Sequence, residues 1–131
     1  METILIQDAD EAVADVVITA LRMEGYRACR LAGSHENILE TIRGHQAKLL
    51  LLDCWMGKQS IKLCGWVKAH FPKLPVVAFS SDKHIRQNFR VLGFDGFLGK
   101  PFDLEELYRV VGKFLPGRKK RQPVEQVLDC R

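Results

Sequence analysis

Short apolar runs recur along the chain, and each is followed by a stretch in which apolar residues return every three or four positions. The clearest run consists of four leucines, residues 49–52, between Lys48 and Asp53. A strand covered on one face only would alternate apolar with polar residues, so this unbroken run predicts a strand that is buried on both faces. The strand is expected to end at the carboxylate of Asp53.

The same pattern predicts five strands and five helices in strict alternation. The strands are expected at residues 4–6, 26–31, 49–52, 75–79 and 95–98. The helices are expected to bury apolar stripes within residues 13–21, 38–42, 61–67, 85–92 and 104–114. The inward stripe of the last helix is predicted to consist of Leu104, Leu107, Val111 and Phe114.

Glycines and capping residues mark the expected ends of these helices. Gly25, Gly44 and Gly93 are predicted to end the first, second and fourth helices, because glycine adopts the left-handed conformation that often closes a helix. Ser34 and Asp103 are the predicted N-caps of the second and fifth helices.

Strict alternation of strands and helices with short connections predicts a parallel sheet that is covered by helices on both faces. The expected fold is therefore α/β, a flavodoxin-like, doubly wound (βα)5 three-layer sandwich with strand order 2-1-3-4-5. In this order the first and third strands are neighbours. Asp8 and Asp53, which lie at their carboxyl ends, should then face each other across the crevice.

Composition and charge narrow the picture further. A chain of 131 residues with 47% hydrophobic and 27% charged residues suits one globular domain, and it contains no apolar run long enough to span a membrane. We expect a cytoplasmic protein. The four cysteines lack the spacing of a zinc site and are expected to be reduced.

The net charge of +4 is concentrated near the C-terminus. Residues 117–131 contain five basic and two acidic side chains, so the rest of the chain is nearly neutral. We predict a folded domain over residues 1–115 and a basic linker or tail over residues 116–131. Four consecutive basic residues without interleaved aromatics are typical of a solvated run, so this domain is not expected to bind nucleic acid directly.

Four polar side chains follow four of the predicted strands, namely Asp8, Asp53, Ser80 and Lys100. A hard cation such as Mg²⁺ prefers carboxylate oxygens and can bridge to phosphoryl oxygens, while a hydroxyl and an ammonium can bind the remaining phosphoryl oxygens. Asp53 is therefore a candidate nucleophile for a phosphoryl group.

These positions also carry a family resemblance. Residues 3–115 resemble the CheY-like receiver domain of bacterial two-component response regulators. The resemblance rests on four motifs in order: Ile4-Leu5-Ile6-Gln7-Asp8, Leu52-Asp53-Cys54-Trp55-Met56, Phe79-Ser80-Ser81 and Gly99-Lys100-Pro101-Phe102.

The resemblance implies that Asp53 accepts a phosphoryl group from a histidine kinase or phosphotransfer protein. It implies that Ser80 and Lys100 bind that group, that Phe97 fills an aromatic switch position, and that the Lys100-Pro101 bond is cis. The implied Mg²⁺ ligands are Asp8, Asp53 and the backbone carbonyl of Trp55.

The implied output is a changed surface. A downstream protein, an effector domain outside this sequence or a second copy of the chain would recognise that surface. The chain would not be an enzyme beyond its own phosphorylation and slow dephosphorylation.

The chain departs from the family pattern at two places, which makes the acidic pocket atypical. Ala9 stands where the family carries a second acid, and Gly57 replaces a usual proline. Mg²⁺ demands near-octahedral oxygen coordination, so the loss of a carboxylate should weaken its binding. Asp10 is the nearest other acid, but its side chain should point elsewhere.

These departures leave a second reading open, in which a degenerate receiver acts as a phosphorylation-independent interaction or dimerisation domain. A flavin carrier or a phosphatase on the same fold is disfavoured. The acidic residues at 7–11 would repel a phosphate, and Trp55 stands where an aspartyl-phosphate hydrolase would carry its second carboxylate.

Overall fold

Strands and helices alternate throughout residues 2–31, 37–54 and 57–116, which are the residues that the computed structural model describes. In chain order the elements are β1 (Thr3–Gln7), α1 (Glu11–Met23), β2 (Arg27–Arg30), α2 (Ile38–His45), β3 (Leu49–Asp53), α3 (Lys58–His70), β4 (Val76–Ser80), α4 (Lys83–Asn88), β5 (Gly96–Gly99) and α5 (Leu104–Phe114). Neighbouring strands are parallel, and their order is β2-β1-β3-β4-β5. The predicted flavodoxin-like fold is confirmed.

The leucine run of β3 divides between two hydrophobic cores. Leu49 and Leu51 pack into a core shared with α1 and α5, whereas Leu50 and Leu52 pack into a core shared with α2, α3 and α4. Successive side chains of a strand point to opposite faces, so a central strand with helices on both faces needs apolar residues at every position. This explains why the run does not alternate.

The pairing of β3 with both neighbours positions its carboxyl end. Gln7 pairs with Leu52, so the residues that follow them, Asp8 and Asp53, lie side by side. On the other side Asp53 pairs with Phe79, the residue before Ser80. Adjacent strand ends therefore bring three of the predicted site residues to one edge of the sheet.

Helix ends follow the predicted signals only in part. Asp103 caps α5 by accepting a hydrogen bond from the backbone N–H of Glu106 at 2.8 Å. The prediction that Gly44 ends α2 is wrong, because this helix continues to His45 and Gln46 provides the left-handed residue with φ 52°. The fourth helix is also shorter than predicted: it ends at Asn88.

The last helix buries the predicted stripe except for its first residue. Leu107, Val110 and Val111 are buried, but Leu104 is 49% exposed, so the prediction that Leu104 points inward is wrong. Leu104 is the first residue of α5, where the helix has only begun to approach the sheet. Close packing appears at the other end: a Cβ on Gly96 would lie 3.0 Å from the ring of Phe114.

The expected redox state holds for two of the cysteines. Cys54 and Cys64 are buried free thiols. Cys29, on the edge strand β2, is disulfide-bonded, so the prediction of a reduced thiol is wrong there.

Several predictions lie outside the described residues: the Ser34 cap, the Trp55 carbonyl and the basic segment from residue 117 onward. Within the described part of the chain, no helix is both long and apolar enough to cross a membrane.

Candidate functional site

A single ammonium group joins the two predicted acids at the carboxyl edge of the sheet. The Nζ of Lys100 lies 3.0 Å from Oδ2 of Asp8 and 3.1 Å from Oδ1 of Asp53. Both carboxylates are almost fully buried, whereas about a quarter of the lysine side chain is exposed. Residues separated by up to 92 positions thus form one ion-paired cluster.

The backbone at the end of β5 directs the Lys100 side chain toward the two acids. The Lys100-Pro101 peptide bond is cis, as the resemblance implied. The backbone N–H of Lys100 donates to the carbonyl of Ser80 at 2.9 Å, which continues the pairing of β4 with β5. The lysine Nζ also lies 4.4 Å from the centre of the Phe79 ring. An aromatic face attracts a cation, so the ring helps to hold the ammonium at this edge.

The turn after β1 supplies two further hydrogen bonds to the acids. The backbone N–H of Asp10 donates to Oδ1 of Asp8 at 2.9 Å, and that of Ala9 donates to Oδ2 of Asp53 at 3.3 Å. Each of the four carboxylate oxygens therefore accepts a hydrogen bond. Such bonds compensate for the cost of burying two negative charges.

Burial and ion pairing shift the pKa values of Asp53 and Lys100 in opposite directions. Burial raises the pKa of Asp53 above its ordinary value, and the contacts with Lys100 and Ala9 only partly offset this effect. Burial alone would lower the pKa of Lys100, but its hydrogen bonds to Asp8 and Asp53 outweigh that effect and raise it. The lysine is consequently cationic at neutral pH.

A thiol lies next to the candidate nucleophile in sequence. Burial raises the pKa of Cys54 to about 12. Since the thiolate is the nucleophilic form of cysteine, this side chain is unreactive at neutral pH and does not compete with Asp53.

Ser80 is buried at the end of β4, and its hydroxyl oxygen accepts a hydrogen bond from the backbone N–H of Asp82 at 2.9 Å. Asp82 in turn caps α4 through the N–H of His84 at 2.7 Å. The helix cap is therefore provided by Asp82. The hydroxyl proton of Ser80 is not needed for the turn and is available to a ligand.

Phe97 lies half-buried in the edge strand β5 and faces α4. Its ring centre is 6.1 Å from that of Phe89, and the guanidinium carbon of Arg86 lies 6.0 Å from it. A Cβ on Gly99 would come within 3.3 Å of the Phe97 ring. The ring is thus packed between the strand and the residues of α4 and its C-terminal turn.

The missing acid is not replaced by its neighbour. Ala9 is exposed. The carboxylate of Asp10 caps α1 by accepting from the N–H groups of Ala12 and Val13, so it points away from the pocket as predicted. In the described ranges, no three His, Cys, Asp or Glu side chains converge in a way that could hold a metal ion. The available side-chain donors are two carboxylates, which suit a hard divalent cation but already share an ammonium.

Two contacts around the site were missed by sequence reasoning. The hydroxyl of Ser60, in the first turn of α3, donates to the backbone carbonyl of Asp53 at 3.0 Å. Arg30, the last residue of β2, donates to the backbone carbonyl of Asp8 at 3.1 Å. For Arg30 the available signal was a basic residue at the carboxyl end of a predicted strand, whereas the sequence carried no signal for Ser60.

An apolar groove of about 890 Å³ opens beside the acidic cluster. It lies between α1 and the segment that follows β5, and it reaches Lys100 at one end. Val16 and Leu104, which line it, are 57% and 49% exposed. An exposed apolar surface of this kind is typical of a protein-binding region.

Comparison with known proteins agrees with these features. The model of the response regulator receiver domain family matches residues 4–112. The transcriptional regulatory protein YvrH of Bacillus subtilis is 32% identical over 108 residues, which are 80% of this chain and 45% of that protein. The DNA-binding transcriptional regulator NtrC of a Bradyrhizobium species is 31% identical over 122 residues, 91% of this chain and 25% of that protein.

A similar solved structure is that of a putative response regulator from Chloroflexus aurantiacus. It is 30% identical to this chain, the TM-score is 0.76, and the match covers 88% of this chain and 98% of that one. By contrast, the chain spans less than half the length of the curated relatives named above. The similarity to them concerns one domain of larger proteins.

Proposed function

This chain belongs to the response regulator receiver domain family of two-component signalling, and from that premise we propose that Asp53 is its phosphoacceptor. The observation that carries the proposal is the cluster in which Lys100 contacts both Asp8 and Asp53. A carboxylate that is buried and held beside an ammonium is positioned for attack on phosphorus. The same cation can then neutralise the charge of the transferred group.

The proposed donor is a phosphohistidine of a kinase or phosphotransfer protein. A carboxylate oxygen of Asp53 attacks phosphorus, an O–P bond forms, and the N–P bond to the imidazole breaks. The released imidazole nitrogen keeps the electron pair and takes a proton from solvent. Asp53 enters this step ionised, which its contact with Lys100 favours.

Ser80 and Lys100 are proposed to bind the phosphoryl group once it is attached. The ammonium is already 3.1 Å from Asp53, so it needs only a small shift to follow the new oxygens. The hydroxyl of Ser80 can donate its proton to a phosphoryl oxygen while it still accepts from the N–H of Asp82.

Asp8 and Asp53 are the described residues proposed to hold Mg²⁺, with the carbonyl of Trp55 as a further ligand. When bound, this ion would neutralise negative charge on the phosphoryl oxygens. Two carboxylate oxygens are shared with Lys100, and Ala9 contributes no third acid. We therefore propose weak Mg²⁺ binding.

The groove beside Lys100 is the proposed docking surface for the phosphodonor. The donor imidazole must come within bonding distance of Asp53, and this groove is an exposed apolar surface that ends at the acidic cluster. Its side chains come from both α1 and the start of α5, as Val16 and Leu104 illustrate. An apolar helical surface on the partner would complement it.

The output is proposed to involve Phe97 and α4. A phosphoryl group adds about −1.5 to −2 charges, and movement of Ser80 and Lys100 toward it alters the loops that hold α4 and β5. Phe97 packs against residues of α4 and its C-terminal turn, so a shift of this helix changes the environment of the ring. A downstream protein, a second copy of the chain or an effector domain that binds one arrangement better would read the signal.

The chain is proposed to act as a receiver over residues 1–115, with residues 116–131 as a linker or tail. Its chemistry is limited to its own phosphorylation and slow loss of the phosphoryl group, so it does not turn over a separate substrate.

Incubation with acetyl phosphate and Mg²⁺, followed by intact-mass measurement, tests the proposal. We expect the mass to increase by one phosphoryl group in the wild type and not in Asp53→Asn. No mass increase at saturating acetyl phosphate would contradict the proposal and favour a phosphorylation-independent interaction domain.

A further inference from the structure

Arg30 contacts both ends of the turn between β1 and α1, and this turn carries Asp8 of the acidic pocket. One terminal guanidinium nitrogen, Nη2, donates to the backbone carbonyl of Asp8 at 3.1 Å. The other, Nη1, lies 3.1 Å from Oε1 of Glu11, the first residue of α1. The planar guanidinium presents its donors in a fixed geometry, so one side chain joins the two ends of the turn.

The residues between these two contacts supply backbone donors to the site. The N–H of Ala9 donates to Asp53, and the N–H of Asp10 donates to Asp8. Both bonds depend on the conformation of the turn, because neither N–H belongs to the ladder of β1 or to the body of α1. Whatever holds the turn therefore also holds the two carboxylates.

The guanidinium is held in place through its terminal nitrogens, Nη1 and Nη2. Its Nε is buried and has no hydrogen-bond partner among the described residues, although such a group usually finds one. The Arg30 side chain is 31% exposed and Glu11 is 80% exposed. An exposed ion pair contributes little by itself, so the bond to the Asp8 carbonyl is the more important contact.

We propose that Arg30 is a positioning residue of the acidic pocket. It holds the turn from Asp8 to Glu11 so that the backbone N–H groups of Ala9 and Asp10 stay directed at the two carboxylates. Its effect on cation binding rests on the proposed function above, whereas its effect on the turn does not.

Removal of the Arg30 charge and loss of its positioning role have opposite expected effects on the affinity for Mg²⁺. A positive charge near an acidic pocket repels a metal ion, so its removal should tighten Mg²⁺ binding if charge were the only contribution. A positioning role predicts the opposite, because a loosened turn leaves Asp8 and Asp53 less well oriented. Arg30→Met is therefore expected to weaken Mg²⁺ binding several-fold.

Arg27→Met is the matched control. It removes the same charge from the same strand. Arg27, however, is the first residue of β2, at the amino-terminal end of the strands, whereas the acidic pocket lies at their carboxyl-terminal end. Titration of both variants with MgCl2, followed by intrinsic tryptophan fluorescence or calorimetry, compares their affinities. Equal or tighter binding by Arg30→Met relative to Arg27→Met would overturn the proposal.

Amide exchange of the metal-free protein tests the turn independently of Mg²⁺ and phosphorylation. In Arg30→Met we expect the Asp10 N–H to exchange with solvent about tenfold faster, since a hydrogen bond from a charged donor contributes a factor of that order. Arg27→Met should leave this rate unchanged. Arg30→Lys can reach one acceptor at a time and should restore part of the protection.

The two experiments separate failure of this inference from failure of the proposed function. If the wild type binds no Mg²⁺ and is not phosphorylated, the exchange rate of Asp10 still decides whether Arg30 positions the turn. Equal exchange rates in Arg30→Met and Arg27→Met would overturn the proposal. Should Arg30→Met fail to fold, Arg30→Lys, which can reach only one of the two acceptors, should still accelerate exchange at Asp10 relative to the wild type; no acceleration would overturn the proposal.

Discussion

At the scale of single residues, the site is a compromise between burial and charge. Asp8 and Asp53 are nearly inaccessible to water, and Lys100 supplies a counter-charge to both. The raised pKa of Asp53 indicates that this counter-charge does not fully compensate for burial. A reactive side chain held at a cost to stability is common at functional sites.

Asp53→Asn is expected to raise the free energy of unfolding at pH 7 by on the order of 1 kcal/mol. The asparagine has no charge to bury, and Lys100 keeps its contact with Asp8. Because the folded-state pKa of Asp53 lies above 3.8, the wild type loses stability as the pH rises from about 4 through that pKa. Urea denaturation in a chelating buffer at several pH values would reveal a difference that grows over this interval.

Asp103→Asn provides the control for that prediction. It removes the same charge from an exposed N-cap, where asparagine caps as well as aspartate, and should change stability little. A variant Asp53→Asn that is no more stable than the wild type at pH 7 would contradict the burial argument.

Ala9→Asp is expected to tighten Mg²⁺ binding. A new charge about 4 Å from the ion contributes about 1 kcal/mol even in bulk water, which is a factor of about five. Ala12→Asp adds the same charge in the first turn of α1 and should have a smaller effect, because that position borders the apolar groove. Fluorescence of Trp55, two residues beyond Asp53, would report binding. Equal affinities of Ala9→Asp and the wild type would rule out the missing acid as the cause of weak binding.

At the scale of elements, packing explains what local patterns did not predict. Apolar runs identify the three central strands β1, β3 and β4, because a strand that is covered on both faces has no freedom to alternate, whereas the edge strands β2 and β5 carry weaker patterns. The exposure of Leu104 and the early end of α4 depend on where each helix contacts the sheet. The spacing of apolar residues predicts which face of a helix is buried, but it does not predict where along the helix that contact begins or ends. The bridge made by Arg30 depends on the pairing of β1 with β2 and on the shape of one turn.

The site itself was predictable to the extent that it follows strand ends. Asp8, Asp53 and Lys100 each close a predicted strand, and parallel strands bring their carboxyl ends together. The prediction that the side chain of Asp10 points away from the pocket is confirmed, and the structure shows why, because Asp10 caps α1. Ser60 could not be predicted, because its contact with the Asp53 carbonyl requires the start of α3 to fold back over the strand end.

Gly96→Ala tests the contact between β5 and α5. The added Cβ would lie 3.0 Å from the Phe114 ring, and overpacking of this kind costs about 1 to 3 kcal/mol. Gly112→Ala, within α5, meets nothing within 4 Å and should stabilise the protein by up to about 1 kcal/mol, because alanine favours a helix over glycine. Urea denaturation of both variants would show opposite changes. A neutral Gly96→Ala would mean that the ring moves aside freely.

At the scale of the whole molecule, two surfaces flank one chemical centre. The groove formed by α1 and α5 adjoins the acidic cluster directly. Phe97, in the edge strand β5, packs instead against the other hydrophobic core, which includes residues of α4. The proposed phosphodonor and the proposed downstream partner would therefore use separate parts of the surface.

Leu104→Ala is expected to slow phosphorylation by a cognate phosphodonor protein about fivefold, while phosphorylation by acetyl phosphate stays unchanged. Loss of a half-exposed apolar contact removes about 1 kcal/mol of docking energy, and it leaves Asp53 and Lys100 untouched. Val91→Ala is the control, since Val91 is 89% exposed and does not line the groove. Equal slowing with both donors would place the effect in the acidic cluster instead.

The central leucine strand determines which parts of the site can move. Breaking β3 away from its neighbours would open both hydrophobic cores at once, so the amide of Asp53 should exchange only through global unfolding. Ser80 and Lys100 sit where β4 and the edge strand β5 pass into loops, which can rearrange at much lower cost. The proposed phosphoacceptor Asp53 is therefore expected to stay in place during phosphorylation, while Ser80 and Lys100, which are proposed to bind the phosphoryl group, move toward it.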